Sequence, residues 1–189
     1  MQIFSKEAFQ FKKQLQDMTK VQNIAVCGLF IALYIVLTYM NIRITDNLEI
    51  RFPFLILALA GYYGGPVMGL TVGAASDILS MLLTGGKGAA FNFGFTIDYA
   101  LIGFLFGLVL YKAQITVPRI LCAELFHVLI VATLHTYWLH LMYGMPLQIL
   151  FVTRLVKCAI TFPIEAAMLY IIVRAFSKIA FHAGIQQRA

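Results

Sequence analysis

Continuous apolar stretches, rather than alternating apolar and polar positions, make up most of this chain. A helix of roughly 20 apolar residues crosses the hydrocarbon core and satisfies its own backbone hydrogen bonds there. The pattern therefore predicts an all-α integral membrane protein with six transmembrane helices. These spans are Val21–Met40, Phe52–Gly64, Pro66–Leu83, Phe95–Tyr111, Ile120–Tyr143 and Leu147–Val173.

The second predicted span is the shortest, and a Gly64-Gly65-Pro66 joint separates it from the third. Proline is tolerated only in the first turn of a helix, so the joint predicts a helix break. A helix too short to cross the bilayer by itself is expected to be tilted, to be broken or to pack inside against neighbouring helices.

Residues 1–20 have a different pattern, in which apolar positions recur at spacings of three and four among charged ones. The apolar positions are Phe4, Ala8, Phe11, Leu15 and Met18. This predicts an amphipathic segment at the cytoplasmic membrane surface, with docking on a partner subunit as the alternative. Residues 21–175 then form the transmembrane domain and 176–189 a basic cytoplasmic tail.

The composition agrees with a membrane protein. Hydrophobic residues make up 61% of the chain and charged residues 12%, and the mean hydropathy is +0.88. A soluble protein has about 25% charged residues. The net charge of +6 follows from the membrane topology and gives no reason to expect nucleic acid as a partner.

Lys and Arg residues are concentrated in the connections on one side of the predicted spans, which places both termini in the cytoplasm. Arg43, Arg51 and Lys87 lie on the opposite side. The cytoplasmic set is Lys6, Lys12, Lys13, Lys20, Lys112, Arg119, Arg174, Lys178 and Arg188. A ligand arriving from outside therefore meets the outer connections Asn41–Arg51, Thr84–Gly94 and Gly144–Pro146.

The sixth span contains ionisable residues at membrane depth. Arg154, Lys157, Thr161 and Glu165 fall within a narrow stripe of one helix face. A charge inside the membrane costs on the order of 3 kcal/mol, so it usually faces a pocket, a pathway or a partner. A substrate-binding or transport site is favoured, and a helix-packing ion pair is the alternative.

The fifth span has a matching stripe of Glu124, His127, His135 and Trp138. Consecutive antiparallel helices would bring the two stripes face to face. His135 and Trp138 then lie toward the outside, at the depth of Arg154 and Lys157. Glu124 lies inside with Glu165, where a binding role and simple packing are both open.

The outer connections and the outer ends of the middle spans add further candidate ligand-binding residues. They are Arg43, Asp77, Phe91, Asn92, Phe95 and Asp98. Glycines in the sequence from Gly85 to Thr96 allow a loop to fold over a ligand, and the Phe rings offer faces for a flat ring, although such aromatics are also common membrane anchors. The GxxxxGK[ST] spacing of a phosphate-binding loop is absent from the sequence.

Small residues at Ala25, Gly28 and Ala32 in the first span allow another helix to approach closely, either within the protein or from a separate subunit. No metal site is expected, because the cysteines have no metal-ligand spacing and the histidines form no HExxH motif.

The chain resembles a known family over about Gln22 to Val173. The resemblance rests on the Gly28/Ala32 pair, AGYYGGPVMGLTVGAASDIL, FGFT, TYWLHLMYG and TRLVKCAITFPIE. These are similar to the folate family among the S components, the substrate-binding membrane subunits, of energy-coupling factor (ECF) vitamin transporters. The resemblance implies a six-helix protein of the prokaryotic plasma membrane that captures a water-soluble vitamin from outside.

The resemblance also implies partners. They are a membrane coupling subunit (T component), on which the small residues of the first helix slide, and two cytoplasmic ATPases that hydrolyse ATP, with no cofactor in this chain. A stand-alone proton-coupled carrier is the rival class. An intramembrane serine protease is disfavoured because the chain has GAASD in place of a GxSG motif and lacks a histidine in the sixth span.

The chain departs from the family that it resembles at four positions, several of which usually carry polar groups on the side of the pocket. Phe93 replaces a Pro, Ile102 an Arg, and His135 and Cys158 each replace an Asn. Altered polar groups change which analogues a site accepts. The implied ligand is folate, with a smaller vitamin or precursor, such as pantothenate, pyridoxine or hydroxymethylpyrimidine, as the alternative.

Overall fold

The computed structural model describes residues 6–45, 48–84, 92–144 and 146–182, and this part of the chain is helical apart from one β-hairpin. Five of its helical segments are long and apolar enough to cross a membrane. The elements are a 3-10 turn Lys6–Phe9, α1 Phe11–Met18, α2 Val21–Tyr39, β1 Asn41–Thr45, β2 Leu48–Arg51, α3 Pro53–Thr84, α4 Phe93–Leu110, α5 Val117–Ile130, a π-helical segment Val131–His135, α6 Thr136–Tyr143 and α7 Leu147–His182.

Helix α3 contains both the second and the third predicted spans. Its backbone leaves the helical conformation at Gly65, with φ 84° and ψ −173°, immediately before Pro66. A positive φ of this size is accessible to glycine and costly for other residues. The break predicted at the Gly-Gly-Pro joint is therefore confirmed.

The short first half of α3 lies in the middle of the bundle. Leu57, Ala58 and Ala60 have no exposed surface, and the residues around them are also buried. Burial against other helices explains how so short a segment is stable in a membrane, since it does not need to match the thickness of the lipid by itself.

A β-hairpin replaces the plain connection expected between the first two spans. Strands β1 and β2 pair antiparallel, with Asn41 opposite Arg51 and Arg43 opposite Glu49. Isoleucine and leucine alternate with polar residues on both strands, which is the period of two that a half-covered strand requires. The second strand ends at Arg51, two residues before α3 begins.

Glycines bring α3 and α4 into backbone contact. A Cβ atom at Gly69 would overlap the carbonyl oxygen of Gly103, and a Cβ atom at Gly103 would overlap that of Gly69. Gly73 and Gly107 have similarly close backbone neighbours. By contrast, nothing lies within 4 Å of a Cβ atom placed on Gly28. The small residues of the third and fourth spans thus pack internally, whereas Gly28 is on an open face.

The outer surface of the bundle is apolar. Only 11% of the most apolar stretch of α2 is buried within the protein, and large side chains such as Leu29 and Val36 are more than half exposed. The same is true of Ile149, Val152 and Ile171 on α7. Continuous apolar surface of this extent is suited to lipid, because lipid tails provide the contacts that a soluble protein would have to bury in its own core.

The N-terminal segment docks at the break in α3. The buried Gln14 side chain accepts a hydrogen bond from the backbone N–H of Val67 and donates to the carbonyls of Glu7 and Ala8. It thereby satisfies one of the amides that a helix leaves unpaired at its start. The exposed side chains of Phe11 and Leu15 belong to the apolar face predicted for a membrane-surface helix.

Two ion pairs stabilise the position of the N-terminal segment. Glu7 lies 2.8 Å from the ammonium of Lys112, just after α4, and its hydrogen bond raises the pKa of Lys112. Lys20 donates a 2.7 Å hydrogen bond to Asp17 and lowers the pKa of that carboxyl. The start of α2, the break in α3 and the end of α4 therefore share one end of the molecule with the N-terminal segment.

Candidate functional site

A cavity of about 130 Å³ lies between the start of α3, helices α4, α5 and α7, and the π-helical segment. Its polar and ionisable lining residues are Arg51, Tyr99, His127, His135, Arg154, Lys157, Cys158, Thr161 and Glu165. Its apolar lining residues are Pro53, Phe54, Ile102, Val128 and Val131. An apolar pocket with a few convergent polar groups is the usual form of a small-molecule site.

Helix α7 supplies the polar stripe that the sequence predicted. Arg154, Lys157, Thr161 and Glu165 all line the cavity. Eleven residues separate the first from the last, which is about 16 Å along a helix at 1.5 Å per residue. The stripe therefore extends along the cavity, with cations toward the hairpin end and a carboxylate toward the end near the N-terminal segment.

The fifth predicted span supplies the opposite wall. His127 and His135 line the cavity, so the two polar stripes face each other as predicted. Between them the helix widens into the π-helical segment Val131–His135, and the Thr136 hydroxyl donates to the carbonyl of Val131 at 3.2 Å. A π turn rotates the residues that follow it and is frequent at functional sites.

Asp98 connects two other predicted site residues, His135 and Trp138, beside the cavity. It is 1% exposed and accepts hydrogen bonds from Trp138 Nε1 at 3.2 Å and His135 Nδ1 at 3.3 Å. The Phe95 ring lies 4.6 Å from the His135 ring, between centroids. A Cβ atom on Gly94 would overlap the Trp138 indole. Asp98 and Gly94 thus fix the side chains of His135 and Trp138.

The end of the cavity farthest from the hairpin contains two carboxylates and a histidine. Glu124, His127 and Glu165 present ligand atoms that all lie within 4.8 Å of one another. Glu124 has no exposed surface, and its Oε1 lies 2.8 Å from His127 Nδ1. The inner pair of carboxylates that the sequence predicted is therefore brought together with a histidine between helices α5 and α7.

Other predicted site residues lie away from the cavity lining. Asp77 accepts a 2.6 Å hydrogen bond from Thr96, and Asn92 caps α4 by accepting from the backbone N–H of Gly94 at 2.8 Å. Phe91 and the side chain of Arg43 lie outside the described residues. A contact between any of these residues and a ligand stays a prediction.

Several lining residues were not among the candidates from sequence. Among them, Arg51 and Phe54 come from the end of the hairpin and the start of α3, and Tyr99 comes from α4. Two features of the sequence could have pointed to them. The strand-like alternation of residues before Arg51 indicates a strand that ends at this residue, and Tyr99 is the neighbour of the candidate Asp98.

The described part of the chain is thus a helical protein with several helices long and apolar enough to cross a membrane and an internal cavity lined by polar residues. The model of one family, described as the ECF transporter, substrate-specific component, matches residues 22–173. The chain belongs to this family, so it is a component of a transporter.

Within this family, the chain is similar to folate transporters. The chain is 38% identical over 155 residues to a folate transporter, FolT, of Clostridium novyi (strain NT), covering 81% of this chain and 88% of the relative. It is 25% identical over 156 residues to FolT of Leuconostoc mesenteroides subsp. mesenteroides, covering 79% and 83%. A crystal structure of FolT bound with folic acid matches with a TM-score of 0.72 and 33% identity, covering 80% of this chain and 92% of that one.

Replacing Asp98 by Ala is expected to destabilise the protein by about 1–3 kcal/mol, because Trp138 and His135 lose a buried acceptor. Trp138 is the single tryptophan of the chain, so its fluorescence during thermal unfolding in detergent reports on this position directly. Asp17→Ala, which removes an exposed ion pair, is the control and should change stability little. Equal melting temperatures for Asp98→Ala and wild type would contradict this role.

Proposed function

We propose that this chain captures a folate-like vitamin from outside the cell and delivers it through an ATP-driven ECF importer. The observation that carries this proposal is the cluster of cations at the hairpin end of the cavity, in a chain similar to FolT. Folate has carboxylates at one end of an extended molecule. Arg51, Arg154 and Lys157 supply the charge-assisted partners that carboxylates prefer.

The proposed topology has six transmembrane helices with both termini in the cytoplasm. It counts α3 as two spans divided at Gly65 and the α5–α6 stretch Val117–Tyr143 as one. The end of the molecule that holds the N-terminal segment also holds Lys112, in agreement with the excess of positive charge expected in the cytoplasm. The cation end of the cavity then faces outward, toward the arriving vitamin.

The proposed partners are a membrane coupling subunit and two cytoplasmic ATPases, which hydrolyse ATP while this chain itself uses no cofactor. The open face at Gly28 supports a docking role for Ala25, Gly28 and Ala32, because another helix backbone can approach it without obstruction. The proposed location is a prokaryotic plasma membrane.

A smaller vitamin is the second candidate ligand. Three positions at which this chain departs from the resembling family, Ile102, His135 and Cys158, line the cavity itself. A changed set of hydrogen-bonding groups is how a pocket comes to reject one ligand and accept another.

A stand-alone carrier is the alternative class of transporter, and it would transport the vitamin without any co-purifying ATPase.

Replacing Arg154 or Lys157 by Ala is expected to weaken folic acid binding by about 1.5–3 kcal/mol each, since a buried charged partner is lost. Titration calorimetry on the purified, folded chain measures this. Arg174→Ala is a matched control, because that guanidinium bonds Tyr170 on the exposed surface. Wild-type affinity in both cavity variants would place the ligand elsewhere.

Replacing Gly28 or Ala32 by Trp is expected to abolish vitamin uptake in cells while leaving binding by the isolated chain intact. A bulky side chain on that face blocks the approach of a partner helix without reaching the cavity. Gly103→Trp is the contrasting control and should lose both, because Gly103 touches the backbone of α3.

Uptake at the wild-type level in both Gly28→Trp and Ala32→Trp would contradict the partner role. Loss of binding by the isolated chain would instead show that these small residues pack its own core.

A further inference from the structure

The N-terminal segment keeps an exposed apolar face after it has docked on the bundle. Phe9, Phe11 and Leu15 are 55%, 37% and 57% exposed, whereas Gln14 on the docked side is buried. The Phe9 and Phe11 rings meet edge to face with centroids 6.3 Å apart, and Leu15 lies one helical turn from Phe11. Exposed apolar side chains gathered on one face indicate a surface that contacts a membrane or a partner.

A contact with α4 shows the depth at which this apolar face lies. The Phe11 ring stacks on the Phe104 ring, with centroids 6.0 Å apart and planes inclined by 20°. Phe104 lies about 9 Å along the helix from the end of α4 at Leu110. An amphipathic helix at a membrane surface buries its apolar face by about 5–10 Å. The N-terminal segment therefore lies beside the last turns of α4, at a depth that suits the boundary between headgroups and acyl chains.

The other end of α1 lies at a similar depth. The Thr71 hydroxyl lies 3.8 Å from the sulfur of Met18. Thr71 is about 8 Å along the helix from Pro66, where the second half of α3 begins. Since Phe11 and Met18 lie about equally far from the ends of the helices that they contact, α1 runs along the surface of the membrane rather than into it.

The charges on the N-terminal segment leave it with two exposed cations. Glu7 and Asp17 are each bonded to a lysine outside α1, at 2.8 and 2.7 Å. Lys12 and Lys13 are exposed on α1, and neither forms an ion pair with another described residue. Lys12 directly follows Phe11, so an ammonium group lies beside the apolar face. Lysine stems cover apolar surface while their charged ends reach the polar region of a membrane.

We propose that this face of the N-terminal segment binds anionic phospholipids of the cytoplasmic leaflet, with Lys12 and Lys13 on their phosphates. Cations beside an apolar face are the combination by which a helix binds an anionic membrane surface. Phe11 packs on Phe104 of a helix long enough to cross the membrane, so the same lipid tails cover both rings. A protein partner at this face would have to displace that lipid.

The lipid contact also stabilises the docking of the segment. Gln14 accepts a 3.3 Å hydrogen bond from the backbone N–H of Val67, next to the break in α3. Lipid that holds α1 along the membrane surface keeps Gln14 in this position. The contact does not depend on which vitamin the cavity holds, and the proposed topology only assigns it to the cytoplasmic leaflet.

Hydrogen exchange of the backbone amides of α1 tests the lipid contact. The purified full chain is placed in nanodiscs of phosphatidylcholine alone or of phosphatidylcholine mixed with phosphatidylglycerol. Each lysine near an anionic surface strengthens binding by about fivefold, so exchange in α1 should be slower by about fivefold or more in the anionic nanodiscs. Added salt should reduce this difference because it screens the attraction.

The double variant Lys12→Gln with Lys13→Gln should exchange at nearly the same rate in both kinds of nanodisc. Both side chains are exposed, so their replacement leaves the packing of α1 unchanged. Arg174→Gln with Lys178→Gln is the matched control, because it removes the same charge from exposed positions on α7. This control should retain the wild-type difference between the two lipids.

Equal exchange of wild-type α1 in both kinds of nanodisc would overturn the proposal, and so would an undiminished difference in the double lysine variant. Protection that inorganic phosphate produces in phosphatidylcholine nanodiscs would indicate a site for a soluble anion and would also overturn it. Protection that appears only when the membrane coupling subunit is added would make this face a protein-docking surface instead.

Discussion

The close contact between α3 and α4 is the constraint on which the candidate site depends. Gly69 and Gly103 leave no room for a side chain between the two backbones. Dispersion contacts and small-residue packing, rather than a hydrophobic driving force, hold helices together in lipid, so such a contact fixes α4 firmly. It also fixes the position of Asp98 on α4, which accepts hydrogen bonds from His135 in the π-helical segment and from Trp138 on α6.

The charges of the cavity follow from the cost of burying them in an apolar bundle. Isolated charges at membrane depth are expensive, and this chain gathers them around one space instead of facing them to lipid. Arg154 and Glu165 lie at opposite ends of one helix stripe, which gives the cavity a positive end and an acidic end. That polarity is a stronger constraint on the ligand than the size of the space, because it specifies both a chemistry and a direction.

Much of the fold could be predicted, because helices that cross a membrane are recognisable from continuous apolar stretches in the sequence. Long apolar spans, the break at Gly65 and the two polar stripes could all be inferred from spacing alone. Periodicity describes a single helix face, however, and does not say which elements meet. The inward direction of Arg51 and the support that Gln14 gives to α3 depend on contacts between residues far apart in the chain.

The π-helical segment shows a second limit of prediction from sequence. A regular helix was assumed for Glu124 through Trp138, yet the turn at Val131–His135 changes the rotation between the two ends. As a result His135 lines the cavity, while the Trp138 indole bonds Asp98 on the neighbouring helix. Local hydrogen bonding of this kind depends on packing around the helix and leaves no clear trace in residue spacing.

The central claim is that the polar cavity holds a folate, and the molecule that the protein itself retains tests it most directly. Mass spectrometry of the small molecules released on denaturing the purified full chain identifies that ligand without any assumption about its chemistry. We predict a folate bearing an intact pterin ring. A retained flavin, thiamine or peptide would contradict the account.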